Sequence, residues 1–255
     1  MILNSIKPKI VCFVCNFIEQ ELAVSGIQKI ARVNVVNVAC IGRLDPVIVL
    51  ETFIKGVDGV LIVGCAPPDC HFIEGNIYAQ STVNALKKLF ALADLEPERL
   101  QLRWVSPIEE VSFTKILVDF LEQLERLGPS PLSKEKYSAK VFENILAAKS
   151  AAADFRLRAW IGKEAKLTRN GNIYGDRISI EEFDTLFADV IKAEFFRHKL
   201  LLLTKKKPSS VKELAEMLNM KPATVFRHIL NMRRKGVIIL DHVEGTTPLY
   251  RAVEV

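Results

Sequence analysis

The chain has 255 residues, 49% hydrophobic and 25% charged, enough for one large or two ordinary folded domains, and this composition excludes a disordered protein. No apolar run approaches the roughly 18 residues that span a bilayer, and Met1 to Lys9 hold neither a signal-peptide core nor a cleavage site, so the expectation is a cytoplasmic chain with no membrane contact. The net charge of +5 is uneven: residues 196–255 hold 12 Lys and Arg against 5 Asp and Glu, while residues 1–195 hold 23 against 25.

Lys9–Cys15, short and β-branched between Pro8 and Asn16, reads as a first strand, and Glu19–Ala31 fits a short helix. Val33–Cys40 reads as a second strand closed by Ile41-Gly42-Arg43. Asp45 then caps a helix to Ile54, with Pro46 at the first helical position, where its missing N–H costs nothing. Gly56 and Gly59 end that helix. A third strand, Gly59–Gly64, runs into Cys65-Ala-Pro-Pro-Asp-Cys70-His71, where Pro67 and Pro68 stiffen a turn between two thiols. A helix from Asn76 to Leu92, a fourth strand Leu100–Val105 and a helix Val111–Leu127 complete this half. Strands alternating with helices across short loops predict an α/β fold: a flavodoxin- or Rossmann-like parallel sheet with helices on both faces.

The five cysteines, Cys12, Cys15, Cys40, Cys65 and Cys70, all lie in the first 70 residues, and an odd count in a reducing compartment favours ligand or reactive thiols over disulfides. Cys15, Cys40 and Cys65 each stand at the carboxyl end of a different strand, with Cys70 in the loop just beyond. Parallel sheets bind ligands at that edge. Four thiols scattered in sequence therefore converge, as a thiolate-bound metal centre requires. Zinc and an iron–sulfur cluster both accept four thiolates, but structural zinc usually draws on two close C-x2-C pairs rather than three strand ends and a loop. A Cys70 nucleophile working with His71 is an enzymatic alternative, and plain buried thiols beside a turn are another. No G-x-G-x-x-G follows the first strand, so a nucleotide site has no support. Cys12 is three residues before Cys15 in a pleated strand, on the opposite face, and reads as a small buried hydrophobe.

Residues 131–195 read as a helical connector, with helices at Ala139–Trp160 and Ile180–Thr204 and a turn-rich Thr168–Gly175 in which Asn170-Gly171 could close a hairpin. Residues 196–255 form a third section. Ser210-Val-Lys-Glu213 is a capping box, with Val211, Leu214, Ala215 and Leu218 on one apolar helical face. Pro222 opens a second helix with Val225, Ile229 and Met232 inward, stopped by Gly236. Strands Val237–Asp241 and Leu249–Val255 follow, completing a C-terminal winged helix-turn-helix domain. Thr224, Arg227, His228 and Asn231 are read as outward on the second helix, with Arg233, Arg234 and Lys235 at its end, making these the candidate DNA contacts. Winged helices also dock proteins, and this wing carries Asp241 and Glu244.

Pro8-Lys-Ile, Phe13-Val-Cys15-Asn16, Cys40-Ile-Gly42-Arg43-Leu-Asp45-Pro46, Gly56-Val-Asp58-Gly59-Val60, Gly64-Cys65, Asp69-Cys70-His71, Glu74-Gly75-Asn76, Glu98-Arg99-Leu100 and Leu127-Gly128-Pro129 carry a resemblance in order and spacing. Residues 8 to 130 or so resemble the delta subunit of methyl-viologen-reducing hydrogenase, a small iron–sulfur family. The resemblance implies one [2Fe–2S] cluster, with Cys15, Cys40, Cys65 and Cys70 as its ligands, in a domain covering residues 1–130. It implies electron relay from a hydrogenase or formate dehydrogenase module to a heterodisulfide-reductase-like flavoprotein in an anaerobic complex, not catalysis by this chain alone. A redox-responsive DNA-binding regulator is the alternative function. Where the family reads C-N-W-C, this chain has Cys15-Asn16-Phe17-Ile18. Four thiolates suffice if Ile18 replaces a non-ligand; otherwise Cys12 substitutes, or the cluster is altered or lost. Arg43 and His71, beside ligand positions, are candidates for tuning the cluster potential, Arg43 being alternatively a surface partner of Asp45.

Overall fold

A computed structural model of the chain describes residues 7–18, 31–106, 113–171 and 173–253. The chain divides into two compact units, Met1–Ile191 and Lys192–Val255.

The first unit holds a four-stranded parallel sheet of β1 (Lys9–Cys15), β2 (Arg32–Val38), β3 (Gly59–Cys65) and β4 (Leu100–Val105), in the order β2-β1-β3-β4. The chain steps outward from β1 to β2 and then back across to β3, so the order reverses between β1 and β3, and their carboxyl ends flank the crevice where such sheets bind ligands. β3 is buried along its whole length, as its unbroken apolar run requires of a strand covered on both faces. One face is covered by α3 (Phe113–Leu127), whose Phe113, Ile116, Leu117, Phe120, Leu121 and Leu124 pack on Ile10, Cys12, Val14, Leu61 and Val63. α1 (Pro46–Ile54) and α2 (Gly75–Leu92) pack together elsewhere in the unit, with Phe53 edge-on to Phe90 at 4.9 Å. Asp45 caps α1 by accepting from the Val47 N–H at 2.9 Å, as the Asp-Pro signal predicted. All of the helix expected at Glu19–Ala31 except Ala31, which is buried and not helical, and the first residues of the one expected at Val111–Leu127 lie outside the described residues.

The amino edge of the sheet is tied by one buried cation. Arg99 is fully buried; its guanidinium donates to Glu96 at 2.8 Å and to the carbonyls of Asp58, Gly128 and Pro129 at 3.1, 3.0 and 3.3 Å. The Asp58 carboxylate in turn accepts from the backbone N–H of Lys9 at 2.9 Å and of Ser130 at 2.8 Å. Burial of a guanidinium is tolerable only when its donors are matched in this way.

The single helix expected at Ala139–Trp160 is two helices, α4 (Ala139–Ala153) and α5 (Phe155–Ala165). Asp154 breaks it: its backbone is extended and its carboxylate caps α5 by accepting from the Arg156 N–H at 2.8 Å. The Asn170-Gly171 hairpin is not formed among the described residues. Lys166–Asn170 instead continues α5 as a π-type turn and Gly171 takes φ +87°, which leaves no pair of extended flanks to join. α6 spans Ile180–Lys206, and its Phe183 and Phe187 pack on Trp160 of α5.

The second unit is built on the end of α6, with α7 (Val211–Leu218), α8 (Pro222–Arg234) and a sheet of β5 (Ser209–Ser210), β6 (Ile238–Glu244) and β7 (Thr247–Ala252) in the order β5-β7-β6. The capping box forms reciprocally, and Leu214, Ala215, Val225, Ile229 and Met232 make the core with Leu200, Ile238 and Tyr250. β6 is longer than expected and the wing turn tighter, only Gly245-Thr246 separating the strands, because residues 242–244 continue β6 and Thr247-Pro248 opens β7, which ends at Ala252.

Candidate metal centre

Four thiols meet at the carboxyl edge of the parallel sheet. Cys15 and Cys65 are the last residues of β1 and β3, the two strands at the reversal point, and Cys40 follows the end of β2 as the cap of a 3-10 turn, Ile41–Arg43. Cys70 sits in the loop after β3. The Cys65 thiol contacts the Cys15 sulfur at 3.7 Å, and Cys15 also faces the Ala39 carbonyl at 3.7 Å. Cys40 and Cys70 both border the Cβ position of Gly75, and Cys70 and Cys15 both act on the Cys40 thiol. The group is thus a touching pair, Cys15 with Cys65, beside Cys40 and Cys70, which flank the start of α2.

Burial pushes the Cys40 thiol up, against the lowering effect of the Gly42 N–H, which donates to its sulfur at 3.4 Å. Cys65 is pushed up to about 11, first by burial and then by its contact with Cys15, while the backbone N–H of His71 pulls the other way. Left to themselves these thiols hold their protons, so occupation by a metal displaces them. Backbone N–H groups already aimed at sulfur are the donors a thiolate needs in a buried site.

Two glycines make the room. A Cβ on Gly75, the first residue of α2, would run into the Cys40 sulfur and meet the Cys70 sulfur at 3.2 Å, and one on Gly42 would run into the Gly75 carbonyl oxygen. The 3-10 turn and the start of α2 therefore touch backbone to backbone, and the sulfurs occupy the space side chains would take. Buried Asn76 reaches the Cys65 carbonyl at 3.5 Å, holding the end of β3 to the same helix. Gly75 and Asn76 are visible in the sequence only as a helix start; nothing local marks the close approach.

Cys12 is elsewhere. It is fully buried among Ile10, Val14 and the α3 side chains, and burial pushes its thiol up to about 12. Ile18 packs against this same apolar cluster. His71 lies in the site loop, stacked on Phe17 with ring centroids 3.6 Å apart. Arg43 is exposed on the 3-10 turn, and the Asp45 carboxylate is held instead by Arg158 of α5, with both contacts at 2.8 Å. The alternative reading of Arg43 as a surface partner of Asp45 is therefore replaced, because the α4–α5 break presents Arg158 to the start of α1.

The candidate DNA contacts divide. Arg227, Arg233, Arg234 and Lys235 are exposed, while Thr224, His228 and Asn231 are half-buried. His228 turns inward far enough that its Nδ1 is buried without a partner, and burial followed by the charges of Arg197 and Arg227 holds its imidazole below the usual range. The wing carries a network in which Asp241 binds Arg251 at 2.7 Å and His242 at 2.8 Å, with Glu244 on the other side of the imidazole at 3.3 Å.

Residues 10–128 match the family described as methyl-viologen-reducing hydrogenase, delta subunit, and residues 200–239 match a winged helix-turn-helix DNA-binding family. The iron-sulfur subunit of the F420-non-reducing hydrogenase from Archaeoglobus profundus is 36% identical over 127 residues, which cover 48% of this chain and 93% of that relative. This chain belongs to the delta-subunit family. The iron-sulfur subunit of the vhc F420-non-reducing hydrogenase from Methanococcus voltae is 33% identical over 132 residues, 50% of this chain and 92% of that relative. One polypeptide of the ferredoxin:CoB-CoM heterodisulfide reductase from Methanosarcina mazei is 34% identical over 144 residues, 54% of this chain but only 18% of the reductase polypeptide. The delta-subunit domain thus forms nearly the whole of some relatives and under a fifth of the reductase polypeptide. Among the described residues, no helix is long and apolar enough to cross a membrane.

Proposed function

We propose that this chain is an electron-transfer subunit whose Cys15, Cys40, Cys65 and Cys70 hold a [2Fe–2S] cluster. The observation that carries the reading is the convergence of these four thiols, from three strands and a loop, on the reversal point of the sheet. Ligands drawn from three strand ends and a loop, in place of the two close C-x2-C pairs usual for structural zinc, support a cluster over one zinc. The names of the hydrogenase relatives say iron-sulfur subunit, which supports the same donor set. Ile18, at the position where the family pattern has a further cysteine, packs with the Cys12 cluster, which supports a ligand set made of the other four positions.

A bound cluster supplies one-electron storage. The protein's part is to hold the Cys15 and Cys65 sulfurs by the ends of β1 and β3 and to donate the Gly42 and His71 N–H groups to the Cys40 and Cys65 sulfurs. Electrons would pass between a hydrogenase or formate dehydrogenase type module and a heterodisulfide-reductase-like flavoprotein. Residues 1–130 form the relay domain, residues 131–195 connect, and residues 196–255 dock a partner protein. The acidic network on the wing supports docking over DNA. Anaerobic purification of single Ser replacements tests the ligand set. Cys15→Ser, Cys40→Ser, Cys65→Ser and Cys70→Ser should each lower or abolish iron, and Cys12→Ser should leave it nearly intact; equal loss at Cys12 overturns the assignment.

A further inference from the structure

α8 turns Val225, Ile229 and Met232 into the core of the second unit. On its solvent side Ala223, Phe226 and Leu230 form a row at i, i+3 and i+7, the spacing that lines side chains along one helical face. Ala223 is exposed, Leu230 is half-buried, and the Phe226 ring, 43% exposed, is not part of that core. Arg227 and Arg234 run along one side of the row and Arg233 along the other, with Lys221 and Lys235 at the two caps of the helix. All five cations are exposed, and none takes part in an ion pair among the described residues. The wing acids are committed elsewhere: Asp241 is held by Arg251 and His242, and Glu244 faces His242.

Unpaired cations in a row attract a polyanion, and the apolar side chains between them decide which kind. Base edges are read through donors and acceptors, which Ala223, Phe226 and Leu230 do not offer, while the polar Thr224, His228 and Asn231 are half-buried to one side. Asp241 and Glu244 on the wing add repulsion toward phosphate. A protein surface fits both halves of the pattern. Aromatic and arginine side chains are enriched at the centres of protein contacts, and Phe226 with arginines on either side has that composition. Carboxylates of a partner pair with the guanidinium groups, while an apolar side chain of the same segment covers the ring.

We propose that the outer face of α8, with Phe226 at its centre and Arg227, Arg233 and Arg234 around it, binds an acidic segment of a partner protein in which apolar side chains stand among Asp and Glu residues. The inference rests on the reading of residues 196–255 as a docking domain, and it names the face that docks and the chemistry of what docks there. Charge sets the attraction and its salt dependence. The Phe226 ring sets the choice of segment, because a purely acidic chain leaves it in water.

The test is fluorescence anisotropy on the full chain with labelled probes: a short peptide of Glu residues around Leu and Phe, the same peptide with Ser in place of Leu and Phe, and duplex DNA. Expected is binding of the first peptide at least about tenfold tighter than the Ser peptide, and weakened at least about tenfold by Phe226→Ser, the loss that truncating a central aromatic brings. Arg227→Glu combined with Arg234→Glu should weaken it as much, and Val36→Ser, a similarly exposed change on β2, by less than about twofold. Duplex DNA should bind without regard to sequence and respond to the arginine pair but not to Phe226→Ser. Circular dichroism of each variant separates lost binding from lost fold, and the arginine pair, on exposed side chains, keeps the test readable if the ring is needed for folding. No binding of the first peptide, equal affinity for the two peptides, or indifference to Phe226→Ser in the folded chain overturns the proposal and leaves docking through another face of residues 196–255 in place. Duplex DNA bound more tightly than the first peptide, and with sequence preference, overturns the docking reading itself.

Discussion

Gly75→Ala should empty the site while leaving the fold standing. Gly75 begins α2 with ordinary helical backbone, so alanine meets no conformational objection and adds helix propensity of up to about 1 kcal/mol. Its methyl carbon, however, would fall well inside contact with the Cys40 sulfur, since ordinary contact begins near 3.4 Å and the ideal position lies far closer than that. One of two things must give. Either Cys40 turns to another rotamer, which carries its sulfur out of the group and away from the Gly42 N–H, or the start of α2 retreats by about 1 Å, pulling Asn76 and the Cys70 loop with it. Strain of this kind costs about 1–3 kcal/mol, much of it offset by the propensity gain, so the melting temperature should fall by no more than about 8 °C at 2–4 °C per kcal/mol. Ligand geometry has no such cushion. Iron per chain, measured after anaerobic purification alongside circular dichroism, should fall by at least half with an unchanged spectrum. Full iron content in folded Gly75→Ala would refute the close-packed arrangement of Gly75 with Cys40 and Cys70.

Arg99→Met should destabilise the first unit by about 3 kcal/mol, the lower end for breaking a buried pair because Glu96 keeps some solvent, and thermal melts should drop by about 6–12 °C. In the second unit, His228 is held below its usual range, so the unfolded chain takes up its proton first as pH falls. Its contribution is present above about pH 6.5 and lost as pH falls toward the folded value. His228→Gln should therefore flatten the acid side of a stability–pH curve read by denaturant melts, and an unchanged curve would count against its burial. His242, raised by Asp241 and then Glu244, acts in the opposite sense, its contribution fading as pH rises through the folded value. Binding of the full chain to duplex DNA should be weak and sequence-blind, on the order of 10⁻⁴ to 10⁻⁶ M near physiological salt. A preference of roughly a thousandfold for the gene's own upstream region would restore the regulator.

Much of the architecture was written in local pattern. The β-branched runs, Asp45-Pro46 and the Ser210–Glu213 box each produced the element they announced, because each depends on residues within one turn or strand. Convergence of Cys15, Cys40 and Cys65 followed from the parallel order alone. What stayed hidden depends on distant contacts. Asp154 could have sat on the exposed face of one long helix, and its capping role appears only with α4 and α5 in place. Arg158 finds Asp45 across 113 positions, so the sequence offered the nearer Arg43. The segments Asp58-Gly59, Glu98-Arg99 and Gly128-Pro129, three pieces of a family resemblance, turn out to be one buried knot at the edge opposite the thiols. His228 looked outward by helical period, but its ring turns inward.

The most direct test is the metal itself. Protein purified without oxygen should carry about two irons and two acid-labile sulfides per chain, with visible absorption and a paramagnetic signal on one-electron reduction, as a [2Fe–2S] centre requires. One zinc with no sulfide, or four unliganded thiols in the freshly isolated protein, would contradict it.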